Sequence, residues 1–95
     1  MSTSTRINGI DTTAIAALSS KLQEDPARGD TLWKAEGVWQ NGFRNQIHIR
    51  DLPASYADEP ELLGGDNTAA NPVEHLLYAL GSCLAIGYVA NASGH

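Results

Sequence analysis

Cationic side chains are scarce: six Lys and Arg stand against eleven Asp and Glu, a formal charge of −5 over 95 residues. No basic stripe can form, which excludes a surface built for nucleic acid or an anionic membrane. Cysteine is scarcer still, with one in the chain, so no disulfide can close within it and a cytoplasmic setting is expected. Residues 1–6 carry no apolar run of the kind a secretory signal needs. From Leu76 to Ala90, before the polar Asn91, there are fifteen uncharged residues, short of the roughly 20 that span a bilayer. His48, His75 and His95 lack the one-turn spacing of metal ligands, and neither a metal nor another cofactor is expected. Gly64-Gly65-Asp66 has no Walker spacing, and Ser82 has no elbow motif around it. No internal repeat or low-complexity tract occurs.

What is present reads as one small α+β domain. Asp11 is a good N-cap, and Ile10 with Ile15 can staple the start of a short amphipathic helix. Ile15, Leu18 and Leu22 recur at helical spacing until Asp25-Pro26 and Gly29 stop it. Residues 31–40 then alternate, with Trp33, Ala35, Gly37 and Trp39 on one face. Asn41-Gly42 is a hairpin signal, and the strand after it places Phe43, Asn45, Ile47 and Ile49 opposite Arg44, Gln46, His48 and Arg50. Residues 51–70 form a long acidic connection, with one short strand expected near Leu62.

The most informative stretch comes next along the chain. Gly64 and Gly65 allow a tight backbone path beside a helix start, where Asn71 caps, Pro72 takes the first helical position and Glu74 completes a capping box. No charge occurs after His75 as far as Asn91, so the helix, expected from Pro72 to about Ala92, should be buried on most of its circumference. Gly81, Ser82 and Gly87 suit close packing against protein, and Gly94 can terminate the helix. One hairpin and one short helix cannot cover it. Either several chains assemble or residues 1–95 are the front half of a longer domain.

Cys83 lies in the middle of that helix and has two readings. A free cysteine among Leu76, Ala79, Leu80, Ile86 and Ala90 is ordinarily an inert small hydrophobe. A redox-active cysteine would need a cation beside it to hold the thiolate. The helix dipole fades within a turn, so the cation must come from another element; Arg44 and Arg50 are the candidates.

The string from Gly64-Gly65 through Asn71-Pro72 to a cysteine twelve residues after that asparagine resembles the OsmC/Ohr family, the osmotically inducible and organic hydroperoxide resistance proteins. The likeness extends weakly back to Asn8-Gly9-Ile10-Asp11 and to the stretch from Arg44-Asn45 through Arg50-Asp51. It implies an OsmC-like fold, with antiparallel strands packed on a long central apolar helix and two chains interlocked as a homodimer. It also implies a cytoplasmic thiol-dependent hydroperoxide reductase with Cys83 as nucleophile, Arg44 or Arg50 stabilising the thiolate, Glu74 in support, and a thiol reductant as co-substrate. In peroxide-reducing relatives an acid directly follows the proline; here Val73 stands there and Glu74 comes one residue later. On an ideal helix Val73 is about 80° around from Cys83 and Glu74 about 180°, so Glu74 reads first as a capping residue. The family's resolving cysteine has no counterpart before His95, and the resemblance implies that its half of the domain lies beyond this chain or on a second polypeptide. The alternative function is a non-catalytic relative that binds a small hydrophobic ligand or serves only in oligomerisation.

Overall fold

The computed structural model of the chain describes residues 6–94; His95 and the first five residues lie outside that range. The fold is α+β, with two antiparallel sheets and a long carboxy-terminal helix. It divides into two compact units, one of Met1–Leu32 with Ser82–His95 and the other of Trp33–Gly81.

The first unit opens with a hairpin not expected from the sequence, β1 (Arg6–Ile7) against β2 (Ile10–Asp11). Its turn residues Asn8 and Gly9 have φ of +53 and +79. Two positive φ values in succession are the type I′ backbone, which Asn-Gly accommodates with least strain. The signal is therefore present in the chain, the same dipeptide as at Asn41-Gly42. Asn8 Nδ2 donates to Ser93 Oγ at 2.9 Å, and Ser93 is buried. Helix α1 (Thr12–Glu24) begins as expected, with the Asp11 carboxylate accepting from Ala14 N–H at 3.0 Å. The N–H of Asp25 closes it on Lys21 O, and Pro26 starts a short 3-10 turn, Pro26–Gly29. None of the α1 residues is buried: the apolar stripe exists, but Ile15 and Leu18 are exposed.

In the second unit, β3 (Glu36–Asn41), β4 (Arg44–His48) and β5 (Ser55–Ala57) form a sheet in that order, all antiparallel. Register puts Gly37 opposite Ile47 and Trp39 opposite Asn45 on one face, and Val38 opposite Gln46 on the other, as the alternation predicts. Four boundaries differ from expectation. The ladder starts at Glu36, not Thr31. The turn slips one residue to Gly42-Phe43 through an irregularity between Trp39 and Asn41, and the Trp39 indole N–H ties it down on Gly42 O at 2.8 Å. The second strand ends at His48, and Arg50 sits beyond it in a turn with φ +48. The third strand is at Ser55–Ala57, whereas Leu62 lies in a 3-10 turn, Glu61–Leu63, stopped by Gly64 at φ +89. Pro60 and a left-handed Gly64 leave that apolar pair no extended backbone to pair with.

The expected close path at the glycine pair is present: a Cβ on Gly65 would collide with the Glu59 carbonyl. Helix α2 runs from Pro72 to Ser93, and its capping box is complete. Glu74 N–H donates to Asn71 Oδ1 at 2.8 Å, and Asn71 N–H donates to Glu74 Oε1 at 3.0 Å. The Gly94 N–H closes the far end on Ala90 O at 3.1 Å.

Burial corrects the largest expectation. Within α2 only Ser93 is buried, while Leu76, Leu80, Leu84, Ile86 and Tyr88 are all more than half exposed. Among the described residues Ala57 is the one buried apolar side chain. At 22 residues, α2 is also long and apolar enough to cross a membrane by length and composition, which the shorter uncharged run did not suggest.

Candidate functional site

Cys83 is exposed. Half-way along an uncharged stretch of helix, it lines an open apolar depression of about 850 Å³ with Leu84, Gly87, Tyr88 and Asn91. The expectation that aliphatic neighbours would enclose the thiol fails because those neighbours project from the same exposed helix. The Asn91 amide is engaged, donating to Gly87 O at 2.8 Å.

The other three candidate residues belong to the second unit. Arg44 is committed on three sides. Its Nε donates to Gln40 Oε1 at 2.8 Å, one terminal nitrogen donates to Thr68 Oγ1 at 2.7 Å, and the guanidinium lies 4.3 Å over the Tyr56 ring. Gln46 pairs with Tyr56 in the ladder and donates to its hydroxyl at 3.3 Å, so Arg44, Gln46 and Tyr56 share one sheet face. Arg50 is exposed, in its left-handed turn between Ile49 and Leu52, whose backbone bond (Leu52 N–H to Ile49 O, 3.1 Å) spans it. Glu74 spends one carboxylate oxygen on the Asn71 N–H, the capping role.

Nothing along the chain marks the best-connected carboxylate. Asp58 is 1 % exposed and accepts from Glu59 N–H at 2.8 Å, Thr68 N–H at 3.1 Å and Thr68 Oγ1 at 2.6 Å. The Thr68 hydroxyl first, then the Glu59 N–H, hold its carboxyl below the ordinary value, outweighing burial, which pushes the other way. Thr68 Oγ1 therefore donates to Asp58 while accepting from Arg44, so a hydroxyl bridges carboxylate and guanidinium. With Asp58 N–H on Ala70 O and Asn67 N–H on Glu59 O, the acidic connection is organised around one side chain. One Asp among several in a loop carries no periodic signal that could have singled it out.

A second cavity, of about 430 Å³, lies between the other sheet face and the start of α2. Ile47, Ile49 and Ala57 form its sheet side; Pro72, His75 and Tyr78 form its helix side. His75 Nε2 meets Tyr56 O at 2.8 Å. A carbonyl can only accept, so that nitrogen carries the proton and the ring is locked across the sheet edge. Arg44 lies on the opposite face, since Gln46 and Tyr56 alternate with the Asn45, Ile47 and Ala57 that line the cavity.

Among the described residues no group of three or more His, Cys, Asp or Glu side chains could hold a metal ion. No known family model and no curated protein matches the chain.

Proposed function

We propose that the chain is an OsmC-like cytoplasmic redox protein, a thiol-dependent peroxidase that reduces organic hydroperoxides at Cys83. The observation that carries this reading is an exposed Cys83 on an apolar surface. An inert cysteine is ordinarily enclosed, whereas a peroxidatic one must meet both an O–O bond and the organic group attached to it. In the reaction the thiolate sulfur takes the terminal oxygen of the hydroperoxide. The O–O bond breaks, the leaving alkoxide picks up a proton to become an alcohol, and Cys83 is left as sulfenic acid. Because the chain has one cysteine, an external dithiol completes the cycle. One thiol condenses with the sulfenic acid and releases water; the second displaces Cys83 and leaves the reductant as a disulfide.

A guanidinium must hold the sulfur ionised. Arg44 already serves Gln40, Thr68 and Tyr56. Arg50 has no described side-chain partner, so it is the freer donor of the pair. Glu74 belongs to the helix cap in this reading. The exposed apolar face of α2 calls for cover, and a second copy of the chain supplies it as a homodimer. Consumption of cumene hydroperoxide with dithiothreitol, measured beside Cys83→Ser, tests the proposal. The wild-type chain should turn over and the variant should not; equal rates would end the enzymatic reading.

A further inference from the structure

The dipeptide Asn-Gly occurs twice in the chain, at Asn8-Gly9 and Asn41-Gly42, and each stands at a hairpin turn. Neither takes part in the peroxidase chemistry. At such a step the glycine backbone nitrogen can attack the asparagine side-chain carbonyl, because no Cβ on the following residue obstructs the approach. The N–Cγ bond forms, the Cγ–Nδ2 bond breaks, and the amide leaves as ammonia, its third hydrogen replacing the proton lost by the glycine N–H. Water then opens the five-membered imide at either carbonyl. One opening gives aspartate; the other gives isoaspartate, with the main chain rerouted through the side chain. No co-reactant besides water is required.

The structure holds the two asparagines differently. Asn8 is tethered: its Nδ2, the leaving nitrogen, donates to Oγ of the buried Ser93 at 2.9 Å. Its φ of +53 lies in the left-handed region, where ψ is about +47°. Ring closure needs ψ rotated beyond the fully extended value, so Asn8 starts far from it and must break a hydrogen bond to move. Asn41 is exposed, and its side chain has no described hydrogen-bond partner. As the last residue of β3 it is already extended, and one ladder pair, Asn41 opposite Arg44, holds it beyond the irregularity that follows Trp39. The Trp39 indole grips the Gly42 carbonyl and leaves alone the Gly42 nitrogen that must attack. No described turn bond occupies that N–H.

We infer that Asn41 is a site of spontaneous deamidation in this chain, whereas Asn8, in the same dipeptide, is protected by its contact with Ser93. The product loosens the turn. Isoaspartate adds one carbon to the main chain where β3 meets Gly42, beside the Asn41–Arg44 pair. The new carboxylate also stands next to Gly42, where a Cβ would lie 3.8 Å from Asp66 Oδ2, so like charges meet at the turn.

The test is to age the full chain for days at mildly alkaline pH, then map peptides by mass spectrometry and label isoaspartate with protein isoaspartyl methyltransferase. In the native chain Asn41 should convert at least roughly tenfold faster than Asn8, with isoaspartate the main product. In urea, where neither is held, the two rates should agree within about threefold. Ser93→Ala should speed Asn8 and leave Asn41 unchanged. The isoaspartyl chain, separated by ion exchange, should unfold at lower urea than its parent. Cys83→Ser should age as the wild-type chain does, which separates this site from the peroxidase reading. Equal native rates, a tenfold difference that persists in urea, aspartate without isoaspartate, or an Asn8 indifferent to Ser93→Ala would each overturn the inference. An unchanged urea midpoint would overturn the loosening of the turn.

Discussion

The Thr68 hydroxyl holds Arg44 and Asp58 together, and Asp58 is where pH should act on this chain. Its carboxyl is held below the ordinary value in the folded state, so its contribution is present above the unfolded value and lost as pH falls through the folded one. The Thr68 amide resonance, followed by NMR during acidification, should therefore move only below the ordinary carboxylate range. In Asp58→Asn that titration should vanish. Gly65 sets a second limit. A side chain there would strike the Glu59 carbonyl, so Gly65→Ala should cost roughly 1–3 kcal/mol in urea unfolding. Neither residue's importance could be read along the chain. Asp58 resembles its acidic neighbours until Thr68 folds back ten positions to meet it.

At the scale of elements, the reciprocal bonds between Asn71 and Glu74 decide where α2 starts. Asn71→Ala should lower stability by about 1 kcal/mol. Glu74→Gln keeps an acceptor oxygen and loses only the charge at the helix amino end, worth about 0.3–1 kcal/mol. Hydroperoxide turnover by Glu74→Gln should equal wild type; a collapse in kcat without loss of stability would return Glu74 to the chemistry. The β3–β4 turn is equally local. Gly42 has φ +57, so Gly42→Ala should cost about 1–2 kcal/mol by thermal unfolding. The caps at Asp11 and Asn71 were legible because each is settled within three residues. The strand at Ser55–Ala57 was not, because it exists only through pairing with β4 across an irregular link.

At the scale of the molecule, the governing fact is how little apolar surface is buried among the described residues. One buried apolar residue among those described is little to set against the chain entropy of folding, and α2 carries Leu76 at 70 % and Tyr88 at 79 % exposure, the surface that the proposed homodimer would cover. Stability should therefore depend on association: the midpoint of thermal unfolding should rise with protein concentration. Leu84→Asp, placed on the exposed apolar face, should weaken self-association in sedimentation by at least roughly tenfold. A monomer with a concentration-independent midpoint would contradict the proposed homodimer.

By itself the sequence determined the helix boundaries, their caps, the hairpin near Asn41-Gly42 and the division of the sheet into two faces. Those features rest on interactions between residues a few positions apart, where residue type and spacing leave few alternatives. Tertiary structure alone decided that Asp58 would organise a loop, that His75 would lock onto Tyr56, that a cleft would open beneath the start of α2, and that Cys83 would be accessible. These depend on which surfaces meet and which stay uncovered, and hydrophobic burial is non-directional: an apolar run announces that it needs cover without naming what covers it.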